Sequence, residues 1–157
     1  MAQVVNYREE LRPHFERLNR AWIERYFVLE PNDIETFRDP GGLIVEPGGQ
    51  IFFVVDERGV RGTCAVVPHG PGTFELAKMA VEEEARGRGY GDLLMRAAIS
   101  FARNAGARRL MLVSNTLLAA ALALYRKHGF VEVPIEKGLG YERVDIQLEL
   151  TLGERTG

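Results

Sequence analysis

The chain has 157 residues, the length of one domain, which is enough to bury a hydrophobic core. With 46% hydrophobic and 27% charged residues it has the composition of a soluble globular protein, and its net charge of -2 gives no sign of a general nucleic-acid binder. One cysteine excludes an internal disulfide framework, and neither a transmembrane run nor a signal peptide is recognisable, so we expect a cytoplasmic protein without membrane attachment.

The first half of the chain is predicted to form a short strand, two helices and a set of extended segments. The strand is expected at Val4-Val5, and apolar residues at helical spacing predict a helix from Arg8 to Leu29 that Pro31 ends. Asn32-Asp33 is expected to cap a short helix through Phe37. Turn residues then separate extended runs at Leu43 to Val45, Gln50 to Asp56, Val60 to Val67 and Phe74 to Val81.

The second half alternates helices and strands, which predicts crossover connections. A strand is expected from Arg109 to Ser114 and a helix from about Leu117 to His128. The strict alternation of Arg143 to Leu150 predicts a last strand with one solvent-exposed face. The four earlier extended runs form an antiparallel meander, so the fold class is α/β (α+β): a mixed, mostly antiparallel sheet flanked by helices, in one domain over residues 1–157.

A glycine-rich turn, Arg86-Gly87-Arg88-Gly89-Tyr90-Gly91, lies where a predicted strand gives way to a helix. Backbone N–H groups of a first helical turn have no intrahelical partner, and glycines let a phosphate approach them closely. Asp92 stands where a Rossmann fingerprint needs its third glycine, and no Lys-Ser or Lys-Thr pair completes a P-loop. The turn therefore predicts a phosphate site of another kind.

Two motifs resemble those of the GNAT superfamily of acyl-CoA-dependent N-acetyltransferases. The segment Arg86 to Gly91 reads R-x-x-G-x-G, which is similar to the family's pyrophosphate-binding motif, and Leu124 to Phe130 reads L-Y-x-x-x-G-F. The similarity covers roughly Ile51 to Val133, with the cofactor-binding half at about residues 73–133. It implies a GNAT-like fold and acetyl-CoA as the acyl donor.

The resemblance assigns cofactor contacts residue by residue. Backbone N–H groups from Gly87 to Gly91, including those of Gly89 and Tyr90, would bind the CoA pyrophosphate, with added charge from Arg86 and Arg88. Backbone groups of Met79, Ala80 and Val81 would bind the pantetheine arm and the acetyl carbonyl. Asn115 would contact the pantetheine arm or, alternatively, cap the following helix. Sequence positions with these cofactor roles are therefore Met79, Ala80, Val81, Arg86, Gly87, Arg88, Gly89, Tyr90, Gly91, Asn115 and Tyr125.

Two residues are predicted to transfer protons. The resemblance makes Tyr125 the general acid that protonates the leaving thiolate, unless it only packs the helix. Glu75 is an acid inside an apolar strand, where burial would raise its pKa toward that of a useful base; the alternative is a surface glutamate. Glu82-Glu83-Glu84 is predicted to be a solvated turn. Cys64 is predicted to be a buried, inert thiol.

The predicted reaction is transfer of an acetyl group to a primary amine by direct attack in a ternary complex. The amine would belong to a small molecule, an amino acid or a protein, and aromatic residues at Trp22, Tyr26 and Phe27 either line its pocket or belong to the core. The alternative function is a catalytically silent acyl-CoA-binding module. The three histidines lack metal-ligand spacing, so no metal is assigned, and the last strand could pair across a homodimer.

Overall fold

The computed structural model describes residues 1–137 and 141–153. Seven strands and four α-helices make up this part of the chain, together with two short 3-10 turns and one π-helical turn. The strands are β1 (Gln3–Asn6), β2 (Gln50–Asp56), β3 (Gly59–Pro68), β4 (Thr73–Val81), β5 (Arg109–Ser114), β6 (Val131–Val133) and β7 (Ile146–Thr151). The helical elements are Glu9–Leu11 (3-10), α1 (Arg12–Tyr26), α2 (Pro31–Arg38), Gly41–Val45 (π), Glu83–Ala85 (3-10), α3 (Tyr90–Asn104) and α4 (Ala119–Lys127).

The described strands form a single mixed sheet in the order β1-β2-β3-β4-β5-β7-β6. Strands β1 to β4 pair antiparallel in chain order, β4 and β5 pair in parallel, and β7 pairs antiparallel with both β5 and β6. The predicted architecture, a mixed and mostly antiparallel sheet flanked by helices, is therefore confirmed.

Helices cover both faces of the sheet and give the protein two hydrophobic clusters. One cluster joins α3 and α4 to the sheet, and the other joins α1 and α2 to its opposite face. Strand β2 shows the division, because Phe52 and Val54 belong to the first cluster while Ile51 and Phe53 belong to the second. A strand buried on both faces reads as a continuous apolar run, which is how β2 appears in the sequence.

Two predictions at the start of the chain are wrong. Leu43 to Val45 is a π-helical turn, not a strand, because its hydrogen bonds close locally: Glu46 N donates to Gly41 O at 2.9 Å. Pro31 begins α2, and the N-cap is Glu30, whose own N–H donates to Asp33 Oδ2 at 2.9 Å in a capping box. Asp33 thus lies inside the first turn of α2, not before it.

The last strand also differs from its prediction. It begins at Ile146, and Gln147, expected on a wet face, is fully buried. The short strand β6, which the sequence did not predict, pairs with β7 on the side opposite β5 and brings Glu136 of the following segment against the Gln147 side chain. Gln147 Oε1 there accepts a hydrogen bond from Glu136 N at 2.8 Å. Strand β7 is paired on both sides, so it offers no free edge for the expected pairing across a dimer.

Candidate active site

A cavity of about 910 Å³ opens where β4 and β5 separate. The two strands pair only from Thr73 with Arg109 to Glu75 with Met111, although β4 continues to Val81 and β5 to Ser114. Residues of β4 from Glu75 to Val81 line the cavity on one side, and the end of β5 and the start of α4 line it on another. Backbone groups of β4 facing this gap have no strand partner in the described chain, so they are available to a ligand.

Strand β4 contains a bulge beside the cavity. Thr63 pairs with Ala80 and Ala65 pairs with Ala77, so Lys78 and Met79 together face the single residue Cys64. Lys78 has φ = 54°, and it is the only non-glycine residue with positive φ in the described chain. A side chain in this left-handed region costs roughly 1–2 kcal/mol. The predicted backbone contacts Met79, Ala80 and Val81 all line the cavity.

The glycine-rich turn closes the cavity at the start of α3. Gly87 and Gly89 both have φ = 81°, and Gly89 is the N-cap of α3. A Cβ atom on either glycine would meet nothing within 4 Å, so the backbone angles and not crowding require glycine there. Gly91 has another reason: a Cβ atom would lie 3.0 Å from Leu124 Cδ2, so Gly91 allows α3 to pack closely on α4.

Some residues of the turn line the cavity, and others interact with the sheet. Arg86, Gly87, Gly89, Tyr90 and Gly91 line the cavity, whereas Arg88 interacts with Asp56 and Tyr90. The Tyr90 hydroxyl donates to Asp56 Oδ2 at 2.6 Å, which leaves its backbone N–H as the group that a ligand could use. The predicted charge of Arg88 is therefore not directed into the cavity.

A chain of ion pairs supports this end of the site, and we call Arg17, Asp56, Arg61 and Glu82 the loop cluster. Arg61 is buried and lies 3.4 Å from Asp56 Oδ2 and 3.0 Å from Glu82 Oε2. Glu82 also accepts from Arg17 Nη1 at 2.7 Å, so α1 is tied to the end of β4. The prediction of a solvated Glu82 is wrong, because the carboxylate has two basic partners from other elements.

Glu75 and Tyr125 line the same cavity, and neither side chain has a hydrogen-bond partner in the described part of the chain. Burial raises the pKa of Glu75, and the nearby charges of His69 and Lys78 oppose this effect. Burial also raises the pKa of Tyr125 to about 12. An unpaired carboxylate and an unpaired phenol facing one cavity are groups available for proton transfer.

The other predicted residues have mixed outcomes. Asn115 lines the cavity, and it is not the N-cap of α4, which begins only at Ala119. Both the oxygen and the nitrogen of its side-chain amide form hydrogen bonds. It accepts from Leu117 N at 2.8 Å and donates to Arg143 O at 2.7 Å. Cys64 is fully buried, its thiol points to Leu94 O at 3.8 Å, and burial raises its pKa, as expected for an inert thiol.

The aromatic residues of α1 lie at the cavity wall. Trp22, Tyr26 and Phe27 all line it, and Thr36 of α2 lies on the same wall. Phe37, in contrast, is buried in the cluster beneath α1 and α2. All three residues of the predicted aromatic stripe thus line the cavity.

Sequence reasoning missed a buried ionic group at this wall, which we call the bulge cluster: Asp33, Lys78, Tyr141 and Arg143. Asp33 is fully buried and accepts a bidentate pair of hydrogen bonds from Arg143, both at 2.7 Å. Lys78 donates to Asp33 and to the Tyr141 hydroxyl, the latter at 3.2 Å. The sequence carries one signal for this cluster. Lys78, like Glu75, is a charged residue within the apolar strand Thr73–Val81, but only Glu75 was assigned a role from that pattern.

The electrostatics of the bulge cluster favour the ionised forms of Asp33 and Arg143 and act in opposite directions on Lys78. Burial alone would raise the pKa of Asp33, but hydrogen bonds from Arg143 and Lys78 outweigh it and lower the pKa to about 2. Burial lowers the pKa of Lys78, and its bond to Asp33 opposes that change. Lys78 and Arg143 also lie over the Tyr141 ring, each 4.6 Å from its centroid.

Within residues 1–137 and 141–153, no group of three or more His, Cys, Asp or Glu side chains is placed to hold a metal ion. No helix in the described chain has the length and apolar character needed to cross a membrane.

The sequence matches the model of the acetyltransferase (GNAT) domain over residues 47–132. The chain belongs to the GNAT acetyltransferase family. N-acetyltransferase 8 of Mus musculus is 32% identical over 93 residues, which are 59% of this chain and 39% of that protein. The uncharacterized N-acetyltransferase YobR of Bacillus subtilis is 30% identical over 114 residues, 70% of this chain and 45% of that protein. The chain thus spans less than half the length of these relatives.

Solved structures show the same fold in GNAT proteins of low sequence identity. An acetyltransferase of the GNAT family from Staphylococcus aureus Mu50 superposes with a TM-score of 0.90 at 14% identity, covering 98% of this chain and 100% of that chain. A GNAT superfamily phosphinothricin acetyltransferase from Sinorhizobium meliloti, solved in complex with AcCoA, has a TM-score of 0.79 at 19% identity and covers 97% and 89%. These matches confirm the predicted fold.

We expect Asp33→Asn to lower the free energy of unfolding by about 3–5 kcal/mol at pH 7, because it leaves buried cations without their charge partner. The native pKa of Asp33, about 2, lies below its ordinary value of 3.8. Its stabilising effect is therefore full above about pH 4 and is lost as the pH falls toward 2, so the two proteins should converge in acid.

Urea unfolding across this pH range measures the difference. Glu35→Gln is the matched control, because Glu35 is also on α2 but forms an exposed pair with Arg38. Equal losses of stability in both variants would contradict a special role for Asp33.

Proposed function

We propose that this domain is an N-acetyltransferase that transfers the acetyl group of acetyl-CoA to a primary amine. The observation that carries the proposal is the continuity of one cavity. It runs from the glycine turn at the start of α3, along the unpaired part of β4, to Glu75 and Tyr125. The S. meliloti relative, which was solved with AcCoA, supports acetyl-CoA as the donor.

Residues at the glycine turn would hold the donor. The N–H groups of the first turn of α3 have no intrahelical acceptor and carry the positive end of the helix dipole, so they suit the CoA pyrophosphate. Arg86 lines the cavity and would add charge. Peptide N–H groups between Met79 and Val81 would bind the pantetheine arm and stabilise the negative charge that develops on the acetyl oxygen. When bound, the thioester supplies the activated acyl group.

Glu75 would take a proton from the acceptor ammonium, directly or through water. Burial raises the pKa of Glu75, which makes its carboxylate a stronger base. Tyr125 would donate its proton to the departing sulfur. Its pKa of about 12 keeps it protonated, and burial that disfavours phenolate also disfavours thiolate, so the proton transfer retains its driving force.

The acceptor is defined here only as an amine, of a small molecule, an amino acid or a protein. The wall formed by Trp22, Tyr26 and Phe27 would contact its apolar part. A single domain over residues 1–157, a cytoplasmic location and a homodimer remain predictions.

Gly89→Glu should abolish acetyl-CoA binding, weakening it on the order of 100-fold or more, because a carboxylate would stand where the pyrophosphate is expected. Gly106→Glu is the control: Gly106 has φ = 82°, close to the 81° of Gly89, and both have open space beyond Cα. The two variants thus share the backbone strain. Calorimetric titration with acetyl-CoA distinguishes them, and equal affinities would remove the glycine turn from the proposal.

Glu75→Gln should lower kcat/KM about 10²-fold or more. In the wild type, kcat/KM should rise with pH through the raised pKa of Glu75, and this limb should disappear in the variant. The carboxylate is desolvated, so the folded state loses stability as pH rises through that pKa. The variant should therefore have a higher Tm at pH 7 but not at pH 4. Exposed Glu46→Gln should change neither property, and an active Glu75→Gln enzyme would exclude the base role.

Tyr125→Phe should lower kcat about 10²-fold and change the Kd of acetyl-CoA less than about threefold, because only the proton donor is lost. The measurement is thiol release over a panel of primary amines, with Tyr7→Phe as the control, because Tyr7 does not line the cavity. An unchanged kcat would assign the proton to water. A wild type that binds acetyl-CoA and acetylates no amine would support the alternative of a silent binding module.

A further inference from the structure

We infer that Lys78 is a positioning residue: its ammonium, anchored on Asp33, holds the β4 bulge in the conformation that presents peptide groups to the acetyl carbonyl. The inference rests on the proposed function, because it requires an acetyl group at the bulge. It concerns how that part of the site is held in place, and it assigns the bulge cluster a purpose beyond stability.

Lys78 occupies the first position of the β4 bulge, where a left-handed backbone is usually provided by glycine. Glycine adopts φ = 54° freely and asparagine tolerates it, whereas lysine does not favour it. The bulge therefore carries a backbone cost at this residue, and the conformation persists only where surrounding contacts constrain it.

The side chain supplies that constraint. It is only 6% exposed, and its ammonium is held by the fully buried Asp33 and by the Tyr141 hydroxyl. The position of Asp33 is itself fixed, because it receives two hydrogen bonds from Arg143 and one from Glu30 N at the start of α2. A strand residue is thus tied by its ammonium to a rigid carboxylate on a helix across the cavity wall.

A direct role in binding the acceptor is the competing explanation, since Lys78 lines the cavity. The contacts favour the anchor. The ammonium already has a carboxylate and a hydroxyl as partners, and it lies 5.6 Å from the centroid of Phe37 and 4.6 Å from that of Tyr141. Little of the ammonium remains open to an incoming substrate.

The test compares two substitutions that separate the anchor from the backbone angle. Lys78→Met removes the ammonium but keeps a Cβ atom, so the left-handed backbone loses its support. Lys78→Gly also removes the ammonium, but glycine accepts φ = 54° without strain. Asp33→Asn weakens the anchor and leaves Lys78 in place. The exposed Lys137→Met is the control.

Calorimetric titration with acetyl-CoA and CoA measures the contribution of the acetyl group. We expect the wild type to bind acetyl-CoA about fivefold more tightly than CoA, the effect of about one net hydrogen bond. The ratio should fall to about 1 in Lys78→Met, fall less in Lys78→Gly, and fall in Asp33→Asn. The Kd of CoA itself should change less than twofold, and Lys137→Met should match the wild type. Circular dichroism establishes whether each variant is folded. If Lys78→Met does not fold, the ratio in Lys78→Gly decides the test.

The contrary outcomes are distinct. An unchanged ratio in the variants, or a wild-type ratio near 1, would overturn the inference while the proposed function stands. If Lys78→Met and Lys78→Gly have equal ratios of CoA to acetyl-CoA Kd, and both have a raised KM for the acceptor amine, the ammonium contacts the acceptor. That outcome would also overturn the inference. A wild type that binds neither CoA species would overturn the proposed function and this inference with it.

Discussion

The early end of pairing between β4 and β5 is the constraint on which the rest of the site depends. The two strands pair over three residue pairs and then separate, because β4 continues to pair with β3 beyond its bulge while β5 stays paired with β7 to its end. Separation leaves backbone donors and acceptors without strand partners at the edge of an otherwise apolar core. Such groups are costly to bury without partners, so a ligand with complementary polar groups would be stabilised in the gap.

Two ionic clusters hold this gap open from opposite ends. The loop cluster ties the end of β4 to β3 and α1, and the bulge cluster ties the middle of β4 to α2 and the segment before β7. In both, every charge has an oppositely charged partner. Glu75 and Tyr125, which line the same cavity, have no hydrogen-bond partner in the described chain. The paired charges of the two clusters stabilise the walls of the cavity, whereas the unpaired side chains of Glu75 and Tyr125 are available for proton transfer.

Local sequence rules predicted most of the fold because most of it obeys them. The glycine turn, the meander and the helix at α3 carry their own signals of spacing and turn chemistry. The failures have two kinds of cause. Leu43 to Val45 closes its hydrogen bonds locally in a π-helical turn, whereas Gln147 is buried by a distant segment, whose Glu136 N–H donates to its side chain. Asp33 and Lys78 are 45 residues apart, and no spacing in one sequence reveals such a contact.

Departures from ordinary structure are concentrated in a few residues of one strand. Within β4, Glu75 is a carboxylate that burial disfavours, Lys78 has a left-handed backbone, and the parallel pairing ends between them. Each feature lowers stability on its own. The bidentate pair of Arg143 with Asp33 offsets this loss at the point where Lys78 is anchored, and so stability is supplied by residues that need not touch the reacting atoms. That separation would let side chains of the cavity wall change while the bulge keeps its geometry.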